Sequence, residues 1–180
     1  MKIDWKSSFK IALILTAIAS VGAITIALTN VLTEPIIKQN RAQREQNGLK
    51  KVFGDNATFG DKVELKEDKY QYLQAYYPVT VNSSSARVYS TKGTNAYGDV
   101  ALLVGLNADF TIYNIAVMEN TESYAITLKE NYLDYLMNPK EGKTHEQAFE
   151  DTSVKCGATY GAKLVKDMIN QAKEHYKEGK

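Results

Sequence analysis

The chain has 180 residues, and its 22 lysines and arginines against 21 aspartates and glutamates leave a formal net charge of +1. That balance gives no electrostatic reason to expect nucleic-acid binding. The single cysteine excludes an intrachain disulfide, and the two histidines, His145 and His175, lie in polar stretches, so the sequence predicts no metal site.

The N-terminal region is predicted to cross a membrane once. Residues 11–32 include no charged side chain, and as a helix these 22 residues would measure about 33 Å at ~1.5 Å per residue, close to the ~30 Å hydrocarbon core. The alternative is a cleaved signal peptide, whose apolar region is usually shorter, ~7–15 residues. We therefore interpret residues 1–34 as a tail and an uncleaved, single-pass anchor in the cell membrane.

The orientation and the surroundings of this anchor are less strongly indicated. Basic residues flank both ends of the span, so the positive-inside rule does not discriminate, and only the very short tail favours a cytoplasmic N-terminus with an extracytoplasmic C-terminal domain. Ala19, Ala23 and Ala27 recur every four residues. Such a stripe allows a second helix to approach closely, which predicts a subunit of a membrane complex, but an ordinary anchor can contain the same alanines.

Residues 35–60 are predicted to form a helical stalk and a connection, and residues 61–180 to form one α+β domain. The clearest strands are the apolar runs at 100–106 and 111–118, which a turn-like spacer joins into a hairpin. Weaker β signals lie at 70–81, where Pro78 interrupts the run, and at 86–90. Loops are predicted at 82–85 and 91–96.

Three helical segments are predicted to follow the hairpin. One covers residues 124–137, a short turn covers 145–150, and a strongly amphipathic helix closes the chain, with apolar side chains recurring between Ala162 and Tyr176. The order of anchor, helix, strands and helices indicates an α+β fold.

The segment Cys156-Gly157-Ala158-Thr159 directly precedes the last amphipathic helix. Free backbone N–H groups and the helix dipole favour a phosphate at a helix start, and a hydroxyl placed there can also be esterified by one. The structural alternative is a tight turn in which Thr159 only caps the helix and Cys156 is an inert small residue.

Taken together, the anchor, the strand pair, an acid-hydroxyl pair and a Gly-Ala-Thr turn before a terminal helix resemble the layout of the extracytoplasmic FMN-binding domain family. That family includes the G subunit of the Rnf electron-transport complex and the C subunit of sodium-pumping NADH:quinone oxidoreductase. Its members receive FMN from a flavin transferase, through the phosphate, on the threonine of a motif close to Asp-x-x-Ser/Thr-Gly-Ala-Thr.

The resemblance implies that Thr159 is the acceptor, with Gly157 and Ala158 completing the motif. Cys156 stands where the family has serine or threonine, and Ser153 stands where it has aspartate, although Asp151 is two residues away. The resemblance implies that the transferase recognises both of these motif positions.

A second stretch of the family, Glu-Thr-Pro-Gly, lies close to the flavin ring and corresponds here to Glu122, Ser123, Tyr124 and Ala125. Glu122 keeps the acid and Ser123 keeps a hydroxyl, but Tyr124 and Ala125 replace the Pro-Gly pair. Without the family, an ordinary connection between a strand and a helix is the better explanation of this stretch. The segment from Ala96 to Val100 is also similar to the Gly-Tyr-x-Gly entry to the family's first strand.

These correspondences predict a covalent FMN on Thr159, with Tyr124 or Tyr160 beside its ring and Lys163 pairing with its phosphate. Glu122 is a candidate for tuning the reduction potential. The implied function is that of an electron-relay subunit in an Rnf-like, ion-translocating ferredoxin:NAD-type oxidoreductase, with other integral membrane subunits as partners and a flavin transferase acting during maturation.

Two further functions remain open from the sequence. One is a flavin-free structural subunit of such a complex, which the departures from the motif favour. The other is an unrelated membrane-anchored extracytoplasmic binding module, supported only by the tyrosine-rich residues 70–77.

Overall fold

The structure, a computed structural model, describes residues 5–66 and 68–179, without the side chains of Ser7 and Asp68. The first four residues of the predicted tail lie outside this part. The chain divides into two compact units, residues 1–43 and residues 44–180.

A single helix, α1, runs over Trp5–Phe53. By length and composition it can cross a membrane, and in the described part of the chain no other helix passes the same test. Hydroxyls along its apolar part donate to backbone carbonyls one turn back, for example Thr25 Oγ1 to Val21 O at 2.8 Å, so these side chains carry no unsatisfied donor within the apolar helix. They are the hydroxyls of Thr16, Ser20, Thr25, Thr29 and Thr33.

The second unit is built on an antiparallel six-stranded sheet in the order β1-β3-β4-β5-β6, with β2 also paired to β3. The strands are β1 Thr58–Phe59, β2 Val63–Glu64, β3 Leu73–Val81, β4 Ser84–Asn95, β5 Gly98–Asn107 and β6 Ile112–Asn120. The predicted hairpin is therefore present as β5 and β6.

Two tight turns connect the central strands. Asn82 and Ser83 form a two-residue loop between β3 and β4 and both have positive φ, as a type I′ hairpin turn requires. The loop of Ala96 and Tyr97 joins β4 to β5, where Asn95 pairs with Gly98. A side chain at Gly98 would meet the Thr121 carbonyl oxygen at 2.5 Å, so the Tyr97 turn is held close to the end of β6.

Helices cover one face of the sheet. They are α2 Ala125–Leu128, a π-helical turn Lys129–Leu133, α3 Asp134–Met137, α4 His145–Glu150 and α5 Thr159–Lys177. Leu102 and Val104 of β5 pack in the core on this side, together with Met168 and Ile169 of α5. The predicted helical segments at 124–137, 145–150 and 162–176 all correspond to helix in the structure.

The last turns of α1 cover the opposite face of the sheet. Leu49, Val52 and Phe53 are buried there in a second apolar cluster that includes Val88 and Leu103. Because both faces are covered, β5 reads as a continuous apolar run rather than as an alternating one. The α+β fold with one N-terminal membrane-competent helix is confirmed.

The structure corrects several details of the strand prediction. The predicted loop at 91–96 is wrong, since β4 continues to Asn95, and the predicted loop at 82–85 is too long, since β4 already begins at Ser84 and pairs with β3 from there. The connection before residue 70 contains the short strands β1 and β2. Pro78 does not interrupt β3. Its carbonyl accepts from Gly60 N at 2.8 Å on the side away from β4, so the missing N–H costs no bond to β4.

Candidate functional site

A cleft of about 200 Å³ opens where the first turn of α5 meets the β4–β5 turn and the segment after β6. We call it the α5 cleft. Its lining residues are Tyr97, Glu122, Tyr124, Gly157, Ala158, Thr159, Tyr160 and Gly161. Segments that are far apart in the sequence thus meet at the motif that the sequence singled out.

Thr159 is the first residue of α5, and Ala158, not Thr159, is the N-cap. The Thr159 side chain is exposed, and within the described residues its hydroxyl makes no hydrogen bond. The structural alternative of a threonine cap is therefore wrong for this helix. The hydroxyl is free to carry a substituent.

The turn before α5 contains a left-handed backbone conformation that favours glycine. Gly157 has a φ of +81°, and a side chain on it would approach Thr127 Cγ2 at 3.3 Å. The Cys156 carbonyl accepts from Asn131 Nδ2 at 2.9 Å, which fixes the turn to the π-helical segment.

The N-terminal end of α5 offers backbone donors to the cleft. The Ala158 cap makes no side-chain hydrogen bond, and the first intrahelical bond runs from Ala162 N to Ala158 O at 2.9 Å. The N–H groups of Thr159, Tyr160 and Gly161 consequently have no partner within the helix. They form the positive end of the helix dipole.

Glu122 lies at the floor of the cleft and is only 5% exposed. One of its carboxylate oxygens accepts from Asn95 Nδ2. The other lies against the Cα of Gly161, where any side chain would overlap it. A buried carboxylate is therefore held beside the start of α5.

Three tyrosines form the aromatic wall of the cleft. The rings of Tyr97 and Tyr124 meet edge to face with centroids 5.7 Å apart, and those of Tyr97 and Tyr160 are tilted at 5.5 Å. Tyr124 and Tyr160 are both more than half exposed. Apolar ring surface is thus presented to solvent in the cleft that Thr159 also lines.

Three of the predicted site residues do not line the cleft. Ser123 supports its wall, since its N–H and Oγ donate to the Tyr97 carbonyl at 2.8 and 3.3 Å. Burial raises the pKa of the Cys156 thiol, so this group stays protonated at neutral pH. Lys163 is exposed and pairs with Asp167 at 2.5 Å, one turn further along α5.

The acid that precedes the motif is held by a compact set of donors. Asp151 Oδ1 accepts from Ser153 N at 2.9 Å and from Ser153 Oγ at 2.5 Å, and its Oδ2 accepts from Lys143 Nζ at 2.7 Å. Hydrogen bonds from Lys143, Ser153 and Tyr135 hold the pKa of Asp151 well below its usual range. An ionised aspartate thus lies beside Ser153, the position where the family has aspartate.

Sequence reasoning missed Asn95, Asn131 and Gly161. The only signal for Gly161 was its place inside a strongly helical segment, where glycine is unfavourable by ~1 kcal/mol and therefore indicates a close approach. Neither asparagine carries a sequence signal, because each acts by bonding to a segment far away in the chain. Among the described residues, no group of three or more His, Cys, Asp or Glu side chains is placed to hold a metal ion.

Comparison with known proteins agrees with this architecture. Residues 1–52 match the model of the RnfG N-terminal region. The chain is 25% identical to the G subunit of the Na(+)-translocating ferredoxin:NAD(+) oxidoreductase complex of Acetobacterium woodii, over 98% of this chain and 95% of that protein. It is 24% identical to the G subunit of the ion-translocating oxidoreductase complex of Methanosarcina acetivorans, over 96% of each.

These similarities include both the N-terminal helix and the domain that contains the α5 cleft. Over nearly its whole length the chain is therefore similar to RnfG subunits.

Proposed function

We propose that this chain is an electron-relay subunit of a membrane-bound, Rnf-like ion-translocating oxidoreductase complex and carries FMN joined through its phosphate to Thr159. Both relatives are named as G subunits of ion-translocating oxidoreductase complexes, and each aligns over nearly its full length. The observation that carries the proposal is the exposed Thr159 hydroxyl, free of hydrogen bonds among the described residues and placed at the first turn of α5 inside an aromatic cleft.

The residues around Thr159 fit a phosphodiester. The N–H groups of Thr159, Tyr160 and Gly161 are available donors, and Gly157 and Ala158 leave room beside the hydroxyl. A helix dipole stabilises an anion by only ~0.3–1 kcal/mol at an exposed site, which is too weak to retain a cofactor. A covalent bond removes the need for such affinity, and this explains why Lys163 is not required at the cleft.

The tyrosine wall fits one face of a flat ring. Tyr97, Tyr124 and Tyr160 provide aromatic surface, and aromatic pairs favour offset or edge-to-face contacts. A volume of about 200 Å³ is below the ~300–1,000 Å³ of pockets that enclose drug-sized ligands. The chain would therefore cover one side of the ring and leave the other side open to a neighbouring subunit.

A bound flavin supplies one-electron and two-electron chemistry. The part of this chain is to hold the group at a fixed place, to shield one side of it from water, and to set the charge around it. No proton donor or base of this chain is required for attachment to persist once the ester has formed.

The proposed partners are the integral membrane subunits of the same complex, together with a flavin transferase during maturation. We place the N-terminus in the cytoplasm and residues 44–180 on the extracytoplasmic side, the orientation that the short N-terminal tail favours. The alanine stripe of α1, exposed along its length in this chain, then provides a surface for another membrane helix.

Two observations favour the second candidate function, a flavin-free structural subunit. The Glu122 carboxylate already lies beside the start of α5, where its charge opposes the approach of a second anion, and Cys156 replaces the hydroxyl of the family motif. An unrelated binding module has less support, since both relatives that align over nearly the whole chain are complex subunits.

The proposal is tested by expressing the full chain with a flavin transferase and viewing denaturing gels under ultraviolet light. We expect a fluorescent band at the mass of this chain, which is lost on Thr159→Ala. Thr152→Ala is the matched control, since Thr152 is another exposed threonine of the same connection, and should keep the band. A dark wild-type band that still co-purifies with membrane partners would favour the structural subunit.

A further inference from the structure

Asn95 connects the floor of the α5 cleft to its aromatic wall through both ends of its side-chain amide. Its Nδ2 donates to the Glu122 carboxylate, and its Oδ1 accepts from Tyr97 N at 2.7 Å. Asn95 is the last residue of β4, so this side chain connects the sheet to the floor of the cleft and to its aromatic wall. A serine or alanine at this position could not make both contacts.

The other side of the Glu122 carboxylate is closed by Gly161. A Cβ there would overlap Oε2 and would also lie 2.8 Å from Leu128 Cδ2. The backbone of Glu122 is fixed as well, because its N–H donates to Asn120 Oδ1 at 3.4 Å and its carbonyl accepts from Ala125 N at 3.0 Å. The carboxylate is therefore held between Asn95 and Gly161 at the floor of the cleft that contains Thr159.

We propose that Asn95 and Gly161 are positioning residues that hold the Glu122 carboxylate as a fixed negative charge facing the flavin, and that this charge lowers the flavin's reduction potential. The inference rests on the proposed function, since it concerns the group carried by Thr159. Reduction adds electrons to the ring, and a nearby carboxylate opposes the added negative charge. The effect is large because a buried charge is screened less by water and salt than an exposed one.

The test is the midpoint potential of the flavinylated full-length chain, measured by spectroelectrochemical titration. For Glu122→Gln we expect at least a tenfold rise in the equilibrium ratio of reduced to oxidised flavin at a fixed potential, which is ~30 mV for a two-electron couple. Glu119→Gln is the matched control. Glu119 lies three residues before Glu122, near the end of β6, and it is also a glutamate, but it is exposed and pairs with Lys92. The midpoint potential of the Glu119→Gln chain should therefore equal that of the wild type.

Asn95→Ala separates positioning from simple structural support. We expect a smaller shift in the same direction as in Glu122→Gln, and no additional shift when Asn95→Ala is introduced into the Glu122→Gln chain, because Asn95 acts through the carboxylate. A shift that adds in full in the double variant would overturn the role given to Asn95.

The intact mass of each chain, measured before its titration, distinguishes failure of the proposed function from failure of this inference. A wild-type chain without flavin after expression with the transferase contradicts the proposed function, and the inference fails with it. A flavinylated chain whose potential is the same in Glu122→Gln as in the wild type overturns the inference alone. Failure of Glu122→Gln to receive flavin, with a normal melting temperature, also overturns it, since the carboxylate would then serve attachment.

Discussion

At the residue scale, the glycines of the second unit are points where another segment leaves no room for a side chain. Gly161 lies against Glu122, and a Cβ at Gly93 would lie 2.6 Å from Leu164 Cδ1. In the sequence Gly93 favours a turn, because glycine is unfavourable in a strand. Glycine is needed at this position because Leu164 of α5, more than 60 residues away, packs against it. The local sequence pattern does not include that contact.

Gly161→Ala should lower the melting temperature, although alanine is the better helix former by ~1 kcal/mol. The new methyl group must displace the Glu122 carboxylate or Leu128, and overpacking of this kind costs ~1–3 kcal/mol. Thermal unfolding followed by circular dichroism checks this. Gly22→Ala, which meets no atom within 4 Å, should leave the unfolding of residues 44–180 unchanged. A Gly161→Ala chain as stable as the wild type would show that the carboxylate is not confined.

The carboxylate of Asp151 contributes stability that depends on pH. Its pKa is lowered in the folded chain by hydrogen bonds from Lys143, Ser153 and Tyr135. A lowered folded pKa means that the contribution is complete above the unfolded value of ~3.9 and is lost as the pH falls through the folded pKa.

Asp151→Asn should therefore lower the melting temperature at pH 7, and the difference from the wild type should narrow as the pH falls below about 4. Melting curves at a series of pH values measure this. Asp61→Asn, at an exposed aspartate of the connection before β2, should show a smaller effect at pH 7. A difference that stays constant down to the lowest pH would rule out the ion pair as the cause.

At the element scale, the parts that sequence predicted best are those in which hydrophobic pattern and burial coincide. The β5–β6 hairpin has continuous apolar runs, and α5 has one buried stripe including Val165, Ile169 and Ala172, so their types followed from periodicity. The length of β4 did not follow, because its second half, with Lys92, Gly93 and Thr94, lacks an apolar alternation and is held by its pairing with β5.

The break in the helix after β6 could not be predicted from the sequence either. A π-helical turn at Lys129–Leu133 separates α2 from α3, and Asn131, which fixes the turn before α5, lies within it. Helical periodicity predicts a helix over 124–137, but it does not tell a π-helical turn from an α-helical one. The role of the π-helical turn is seen only in the hydrogen bond from Asn131 to the Cys156 carbonyl.

The end of α1 is an integral element of the second unit, and truncation should show this. A chain that begins at residue 44 keeps Leu49, Val52 and Phe53 on the sheet and should be soluble and unfold cooperatively. A chain that begins at residue 54 exposes this sheet face and should aggregate or melt at a much lower temperature. Size-exclusion chromatography and thermal unfolding distinguish the two. Equal behaviour of both chains would mean that these turns do not stabilise the sheet.

At the scale of the whole molecule, the long apolar helix α1 is compatible with a single-pass anchor in a membrane complex. The proposed orientation predicts that protease added to intact spheroplasts digests residues 44–180 and leaves a cytoplasmic control protein intact. Protection of the domain until the membrane is permeabilised would reverse the orientation.

The candidate site was predicted in part. Thr159, Glu122 and Tyr124, which are distant in sequence, line one cleft, while Lys163 pairs with Asp167 away from it. Helical spacing correctly put Lys163 near the start of α5 but did not determine which face it occupies relative to Tyr97 and Glu122. That face depends on how α5 packs on the sheet.

The most direct measurement is the intact mass of the full-length chain expressed with a flavin transferase, followed by peptide mapping. The account predicts an added mass of FMN less one water, located on the peptide that contains Thr159 and absent from Thr159→Ala. An unmodified wild-type chain under the same conditions would contradict it.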